Sequence, residues 1–355
     1  MRKMIIKNGK VWDGYTFSCK DICWEYDKIV KMEENLELDA DYVYDAKGKI
    51  VSAGLVDVHA HMKGITEESY SIHADMSCLP FGVTAANDAN GTLGDRDVLD
   101  SFMVKNTVFC TVEIKDNHAV FEHAERQLEQ YGDKAIGLKV YFDTRVSHVR
   151  DITALKETCE YAHERNLKVM VHCSNSPCSM MEIVQTLNCG DILSHAFHGG
   201  VHAASEDHYE CFKLAKERGV ILDSGFSGFT HVDYDVFEGA VREGVIPDTI
   251  STDITRRSAY KRGGRYGLPM CMSMARVMGM KEKDIFRSVT SNAAKALGKE
   301  GEWGCLKVGG KADIAVLEWT DDGFSLTDKA GHVLESNEGY RCVMTVADGE
   351  VIYTV

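Results

Sequence analysis

The feature that most constrains the fold of this chain is a repeated alternation of β-type and amphipathic segments through its middle. Eight β-type runs read LVDVHAH, GVTAANDA, VFCTVEI, AIGLKVYF, LKVMVHC, DILSHAF, VILDSG and TISTDI. Amphipathic segments such as 151–166 and 207–218 separate most of them, with Asp151 as the expected N-cap of the first. Eight strand-then-helix units predict an α/β fold, a (β/α)8 TIM barrel. A doubly wound open sheet is the alternative, disfavoured because no G-x-G-x-x-G follows any run.

Both ends of the chain are β-type and lack such helical segments. The β-type runs at the two ends cover residues 4–12, 21–32, 312–319, 340–349 and 350–355, and Asp348-Gly349 is a strong hairpin signal. These ends predict a small β-sandwich domain formed by residues 1–52 plus 305–355, with the barrel spanning residues 53–304. Two separate β caps would give the same pattern.

The overall charge restricts the kind of partner. The chain has 40 Lys plus Arg against 55 Asp plus Glu, a net charge of −15, and no basic run offsets it. Such a chain repels phosphate backbones, so we expect no nucleic-acid partner and a small-molecule substrate instead. The sequence leaves homo-oligomerisation open.

The cysteines and the hydropathy pattern bear on the compartment. The 12 cysteines are scattered without a C-x-x-C pair, which is typical of free thiols in a reducing compartment. The first residues turn polar too soon for a signal-peptide core, and no apolar run is long enough to span a membrane. We therefore expect a cytoplasmic protein that does not bind membranes.

Two histidines end the first predicted strand. His59 and His61 are two residues apart, so on a strand both imidazoles lie on the same face and can bind one metal ion. The motif H-x-H is weak by itself, because two polar residues on an exposed strand give the same pattern.

The fourth predicted strand carries Lys139 within an apolar run. An uncompensated buried ammonium is costly, so one interpretation pairs Lys139 with a carboxylate such as Asp143 or Glu113. In the other interpretation, burial lowers the pKa of the amine. The neutral amine then reacts with CO2 to form a carbamate, which is an anionic oxygen ligand for two metals.

Further polar residues end strands five, six and eight: His172, His195 and Asp253. Each alone is more often a hydrogen-bonded core histidine or a helix cap. Together with His59, His61 and Lys139 they recur at the same relative position, the end of a strand, where a barrel keeps its active site. Nitrogen and oxygen donors without cysteine favour two divalent ions, Zn2+ foremost, with Mn2+ or Fe2+ as alternatives.

The segments VDVHAHMKG, GLKVYF, VMVHCS, ILSHAF and STDIT, with the ending TSNAAKALG and GCLKVGGKADIAVLEW, resemble the amidohydrolase superfamily in its binuclear branch with a carboxylated lysine. Within it, GVIPDTISTDIT and DILSHAFHGG are most similar to the dihydroorotase-like deacetylases, relatives of N-acyl-amino-acid hydrolases. The resemblance covers essentially the whole chain. It implies that His59, His61 and Asp253 bind the more buried metal and that His172 and His195 bind the more exposed one. It further implies that carboxylated Lys139 bridges both metals with hydroxide, and that Asp253 is the catalytic proton shuttle.

The loops after the strands are expected to determine the substrate. Cys173 after His172, and Ile254-Thr255-Arg256-Arg257 after Asp253, depart from the family pattern and put the substrate in doubt. The arginines Arg145, Arg256 and Arg257 are able to clamp a carboxylate, although each alone is more often a surface residue. The Gly-rich segment 225–231 is either a lid or a plain loop. The candidate substrate residues are Lys63, Tyr141, Arg145, 174–176, His198, His202, 226–231, Arg256, Arg257 and Tyr260.

The pattern and the resemblance together predict a metal-dependent hydrolase. Its expected reaction is cleavage of an amide, or related ester, bond in a small carboxylate-bearing molecule such as an N-acyl amino acid, by attack of a metal-bridging hydroxide. The alternatives are a nucleobase-type deaminase or a cyclic-amide hydrolase of the dihydroorotase or hydantoinase kind. A non-enzymatic scaffold on the same barrel is disfavoured, because all six ligand positions hold competent residues.

Overall fold

Seven parallel strands form the curved sheet at the centre of the molecule. The structure is a computed structural model and describes residues 3–62, 71–91, 96–227, 231–261 and 264–355. The strands run in the order of the chain from β8 to β15, and β11 pairs antiparallel with β10 beside them. The strands of this sheet are β8 (Leu55–Ala60), β9 (Val83–Asp88), β10 (Lys105–Lys115), β11 (His118–Val120), β12 (Ala135–Tyr141), β13 (Lys168–His172), β14 (Ile192–Ser194) and β15 (Ile221–Asp223).

The eighth predicted strand is present as a closing segment, residues 249–254, which completes the barrel through two isolated bridges. Thr249 bridges Asp223 at the end of β15, and Ile254 bridges Ala60 at the end of β8, both in parallel. The segment also donates from Thr252 to both carboxylate oxygens of Asp57, at 3.1 and 2.6 Å. Side chains thus supply part of the closure that a regular ladder would provide, and the predicted TIM-barrel fold is confirmed.

Helices follow the strands and cover the outside of the barrel. They are α1 (Ala74–Cys78), α2 (Arg96–Asp100), α3 (Glu122–Tyr131), α4 (Thr153–His163), α5 (Met180–Thr186), α6 (Glu210–Arg218), α7 (Tyr234–Arg242), α8 (Arg256–Lys261), α9 (Leu268–Val277), α10 (Glu282–Ser288) and α11 (Ser291–Ala296). Single 3-10 turns cover Leu79–Phe81, Gly132–Lys134 and Ala204–Asp207. In the described part of the chain, no helix has the length and apolar character that crossing a membrane requires.

Two helix starts differ from the sequence prediction. The N-cap of α4 is Ile152 rather than Asp151, whose carboxylate accepts from the Thr153 N–H at 2.9 Å and from the Asn117 amide at 2.8 Å. The predicted helix from residue 207 begins only at Glu210, because His208 and Tyr209 have left-handed backbone angles that no helix continues through.

Strands from both ends of the chain build the predicted extra β domain. A four-stranded sheet has the order β5-β4-β1-β6 and a six-stranded sheet the order β20-β19-β16-β7-β2-β3, and the two sheets share a core that includes Trp24, Val51 and Ile314. Asp348 and Gly349 both have positive φ in the turn between β19 and β20, as the predicted hairpin requires. The strands are β1 (Lys3–Lys7), β2 (Lys10–Trp12), β3 (Phe17–Ser18), β4 (Asp21–Glu25), β5 (Lys28–Glu33), β6 (Tyr42–Asp45), β7 (Ile50–Ala53), β16 (Ile314–Thr320), β19 (Gly339–Ala347) and β20 (Glu350–Thr354).

One hairpin leaves this β domain and reaches the barrel. It consists of β17 (Phe324–Thr327) and β18 (Val333–Ser336), which pair antiparallel. In its turn, Asp328 accepts from the backbone N–H of Tyr234 at the start of α7, at 3.0 Å. The hairpin turn is therefore attached to the helix that follows β15.

Candidate metal centre at the mouth of the barrel

All six predicted ligands lie at the carboxyl ends of the barrel strands. His59, Lys139 and His172 lie at or near the ends of β8, β12 and β13, respectively. His61 directly follows β8, His195 directly follows β14, and Asp253 lies in the closing segment. All six are buried, none with more than 7% of its surface exposed. Parallel strands end at the same edge, so residues far apart in sequence meet here.

Three of these residues form a first group of ligand atoms. One donor atom from each of His59, His61 and Asp253 lies within 4.8 Å of the others. Asp253 Oδ1 is 2.7 Å from His61 Nε2 and 3.5 Å from His59 Nε2. Two imidazole nitrogens and one carboxylate oxygen are a donor set suited to Zn2+ or a similar divalent ion.

A second group contains a histidine that the sequence analysis did not single out as a ligand. His172, His195 and His231 also bring one nitrogen each within 4.8 Å. The His231 ring stacks on the His195 ring with centroids 3.9 Å apart, and its Nε2 is 3.8 Å from Asp253 Oδ2. His231 had appeared only as the end of the Gly-rich segment after strand seven, which by itself gives no sign of metal binding.

The charge of the Lys139 amine acts on histidines of both groups, where it helps to lower the pKa of His59, His172 and His195. Its side chain is fully buried, and its Nζ has no hydrogen-bond partner among the described residues. Burial lowers the pKa of the Lys139 amine to about 8, although Asp253 and Asp223 oppose the shift. The pairing with Asp143 or Glu113 is not formed: Asp143 binds Asn175 and the Arg145 N–H, and Glu113 pairs with Lys115.

An unpartnered buried amine is costly, so Lys139 fits a site whose full set of groups includes an ion or a modification. The residues present therefore suit the two divalent ions that the sequence resemblance implies.

Hydrogen bonds fix which nitrogen each histidine offers. His195 Nδ1 is 2.9 Å from the Gly225 carbonyl and His59 Nδ1 is 3.2 Å from Ser194 Oγ, which leaves Nε2 of both rings for a ligand. In His172 the roles of the two nitrogens are exchanged: its Nε2 lies 3.5 Å from Asp143 Oδ2, which leaves Nδ1 for a ligand. Such outer partners are typical of metal-binding histidines.

The charge states of the site also suit cation binding. Burial lowers the pKa of His59, His172 and His195, so these rings are neutral and able to donate a lone pair. Burial alone would raise the pKa of the Asp253 carboxyl, but the rings of His59 and His61 beside it hold that pKa well below its usual range. Asp253 is therefore ionised.

Two deeper carboxyls support the closing segment. Burial raises the pKa of Asp57 and of Asp223 to about 7 each. Asp223 Oδ1 accepts from Thr249 Oγ1 at 2.8 Å and from Ser251 Oγ at 2.7 Å. The second oxygen of Asp223 is 3.5 Å from His59 Nδ1, so it helps to orient that ring.

Two of the six predicted ligands have a strained backbone. Asp253 and His195 have φ of 46° and 59°, in the left-handed region that residues other than glycine rarely occupy. Such strain persists only where surrounding contacts enforce it, and it clusters at functional sites. Here the Asp253 N–H donates to the His59 carbonyl at 2.7 Å.

An open cavity of about 490 Å3 lies directly over the ligands and is lined by His59, His61, His172, His195, His231 and Asp253. Of the predicted substrate residues, Tyr141 lines it as well. Arg145 and His198 line a neighbouring cavity of about 300 Å3, together with His231. Arg256 and Arg257 are exposed on α8 and belong to the described lining of neither cavity. Lys63 and residues 228–230 of the predicted loop lie outside the described residues.

Comparison with known proteins gives a consistent assignment. The model of the amidohydrolase family matches residues 50–352. A deacetylase of Enterococcus faecalis is 26% identical over 370 residues, which cover 98% of each chain. A dihydroorotase structure superimposes with a TM-score of 0.85 at 22% identity and covers 99% of each chain. An adenine deaminase structure gives a TM-score of 0.85 at 23% identity over the whole of both chains, so these two structures show the fold alone.

Proposed function

The chain belongs to the amidohydrolase family, and on that premise we propose that it hydrolyses an amide, or related ester, bond of a small carboxylate-bearing molecule such as an N-acyl amino acid. The family membership makes it a hydrolase that acts on carbon–nitrogen bonds. The relative from Enterococcus faecalis, similar over nearly the full length, is named a deacetylase, which supports the transfer of an acyl group to water.

The observation that carries the proposal is the convergence of two three-donor groups on one cavity. The buried amine of Lys139, near the end of the neighbouring strand β12, has no hydrogen-bond partner among the described residues. His59, His61 and Asp253 would hold one ion, and His172 and His195 the other, with His231 beside them. Carboxylated Lys139 would supply the anionic oxygens between the two. Two divalent ions lower the pKa of a water between them and polarise a carbonyl oxygen.

Asp253 is the residue of this chain best placed to move a proton. It is ionised, lines the cavity, and lies 2.7 Å from His61 and 3.8 Å from His231. A carboxylate in this position accepts a proton from the attacking water and returns it to the leaving nitrogen.

The test is metal content by plasma mass spectrometry on protein purified without chelator and supplied with bicarbonate, followed by a substrate panel. We expect about two divalent ions per chain and hydrolysis of N-acyl amino acids. The panel also contains cyclic amides and nucleobases; ammonia release from nucleobases alone would replace the proposal with a deaminase.

A lysine variant tests the bridge within the same experiment. Lys139→Met fills the same buried volume, and we expect it to lower metal affinity and turnover by at least the roughly 10–100-fold that loss of an outer-shell partner costs. Lys168→Met, at the start of the neighbouring strand β13, is the matched control and should keep both metals. Full turnover and full metal content in Lys139→Met would show that Lys139 is not a bridge.

A further inference from the structure

A second cavity lies beside the metal centre, and His231 belongs to the walls of both. This neighbouring cavity has a volume of about 300 Å3, and we call it the side pocket. Ser174 connects the two, because its Oγ is 3.0 Å from His231 Nδ1 and 3.3 Å from His172 Nε2. A molecule with its scissile bond over the metal centre therefore has the side pocket within reach of its next substituent.

Two cationic side chains from different parts of the chain line the side pocket. Arg145 lies in the loop after β12, and Lys329 lies in the turn of the hairpin between β17 and β18. Both are exposed, and neither has a carboxylate within 4.0 Å in the described ranges of the chain. Cations that are not neutralised by the protein are available to a ligand.

Among its described lining residues the side pocket contains one carboxylate, and that carboxylate already accepts a hydrogen bond from the protein. Asp233 Oδ1 accepts from the Val236 N–H at 3.1 Å as the N-cap of α7. Two cations and one carboxylate leave a single positive charge, which matches a monoanion better than a dianion such as phosphate.

The hairpin turn holds Lys329 in place. Asp328, whose side chain is fully buried, accepts from the Tyr234 N–H at 3.0 Å through Oδ2. Its Oδ1 accepts from the N–H groups of Gly331 at 2.8 Å and His332 at 2.9 Å. The position of Lys329 is thus set by a tightly bonded turn rather than by a free tail.

His198 adds a neutral hydrogen-bond acceptor to the two cations of the side pocket. Its Nδ1 donates to the Gly199 carbonyl at 3.2 Å, and burial lowers its pKa to about 4, so the ring is neutral. Its Nε2 is buried and has no hydrogen-bond partner within the described part of the structure, although the residue lines the side pocket. A buried acceptor of this kind is costly unless a ligand donates to it.

We propose that the side pocket binds the carboxylate of the substrate through Arg145 and Lys329, and that His198 Nε2 accepts a hydrogen bond from a neighbouring substrate N–H or O–H. This assignment rests on the proposed function and specifies the substrate class as a monocarboxylate with a nearby donor. It also gives the β domain a role in specificity, because Lys329 comes from its hairpin.

The experiment compares acid and amide forms of the same substrate. Wild type, Lys329→Ala and Arg145→Ala are assayed on N-acetyl amino acids and on the corresponding primary amides, which lack the negative charge. We expect KM for the acids to rise about tenfold or more in both variants, with kcat and the amide kinetics little changed. Lys47→Ala and Arg126→Ala, which remove exposed charges elsewhere, are the matched controls.

A binding measurement keeps the outcome independent of turnover. Calorimetry with an N-methylsulfonyl amino acid, and with its primary amide, should show the same loss for the acid alone. If wild type hydrolyses no panel member but binding of the acid depends on Lys329 and Arg145, the proposed reaction fails and the side pocket stands. Equal losses for acid and amide, or no loss in either variant, overturn the side pocket as a carboxylate site.

The hydrogen bond to His198 has its own readout. His198→Phe should weaken the binding of the N-methylsulfonyl amino acid, which carries an N–H, and leave the binding of its N-methylated counterpart unchanged. Equal weakening of both probes would remove His198 Nε2 from the assignment.

Discussion

The metal centre and a second donor cluster on the outside of the barrel contain similar residue types in very different states. The outer cluster consists of Cys159 and His163 on α4 and Asp191 before β14, with one donor atom each within 4.8 Å. His163 Nε2 donates to Asp191 Oδ2 at 2.9 Å, and its Nδ1 accepts from the Asn188 amide at 2.8 Å. Every nitrogen of this histidine therefore already has a protein partner.

The carboxylate and the thiol of the outer cluster are equally committed. Asp191 accepts from the Val169 N–H at 2.8 Å and from the Asn188 N–H at 2.7 Å, so it fastens the turn before β14 to β13. Burial raises the pKa of the Cys159 thiol, which keeps it protonated and a poor ligand. At the metal centre, by contrast, Lys139 Nζ has no hydrogen-bond partner among the residues that the structure describes, and Asp253 is ionised.

The comparison shows that donor types and distances do not by themselves make a site. The outer cluster is satisfied by the protein, and its bonds stabilise the fold. The metal centre contains buried polar groups that the described part of the protein leaves unsatisfied, which is costly unless function requires it.

The largest expected effect comes from the same substitution made in each cluster. Asp253→Asn should lower kcat by roughly 10²–10⁴-fold, the usual contribution of a positioned acid or base, while the circular dichroism spectrum stays unchanged. Asp191→Asn should leave kcat unchanged and lower the free energy of unfolding by about 1–3 kcal/mol, because a buried donor loses its acceptor. Steady-state kinetics and urea unfolding of both variants measure the two effects. A wild-type kcat in Asp253→Asn would remove that residue from the mechanism.

The second effect concerns the number of metal ions. Titration of metal-free protein with Zn2+ should saturate at about two tightly bound ions per chain. Cys159→Ser and His163→Ala should bind the same number, because the outer cluster offers no free donor. A third tight ion that is lost in Cys159→Ser would make the outer cluster a metal site and break the comparison.

The smallest effect is expected at a third cluster of possible donor atoms, which consists of Asp233, Asp328 and His332. The hydrogen bond to Asp328 raises the pKa of His332 above its usual value, so the cation contributes stability that is fully present below about pH 6.5. That contribution is lost as the pH rises through the higher pKa of the folded state. The Tm of His332→Gln should therefore fall below that of wild type at about pH 5.5 and match it at about pH 9.

His148→Asn, at another exposed histidine, is the control for this pH dependence and should differ from wild type by the same amount at both pH values. A Tm difference for His332→Gln that grows with pH would contradict the assigned sign.

Much of the barrel could be predicted because its signals are local and periodic. Each strand is a short β-type run, and the spacing of His59 and His61 alone predicts that both side chains lie on the same face of their strand. The buried Lys139 was conspicuous because a lysine is rare within an apolar strand. The hairpin at Asp348-Gly349 follows from two residues that tolerate positive φ.

The parts that could not be predicted depend on contacts between distant segments. His231 joins the metal centre from a loop whose composition resembles any other loop, and Lys329 reaches the side pocket from the other domain. The late start of α6 follows from left-handed angles at His208 and Tyr209, two residues that carry no turn signal. Arg256 and Arg257 follow Asp253 by only three and four residues, yet both are exposed on α8.

The position of the closing segment in the chain also determines when the barrel can close during synthesis. Thr252 and the Asp57 carboxylate it binds are 195 positions apart in the chain. At the usual 5–20 residues per second, a ribosome needs about 10–40 s to cover that distance. Throughout this interval β8 is an edge strand without its partner from residues 249–254, and His59 and His61 lack Asp253. The nascent chain therefore completes the group of His59, His61 and Asp253 at the moment its barrel sheet loses its last open edge.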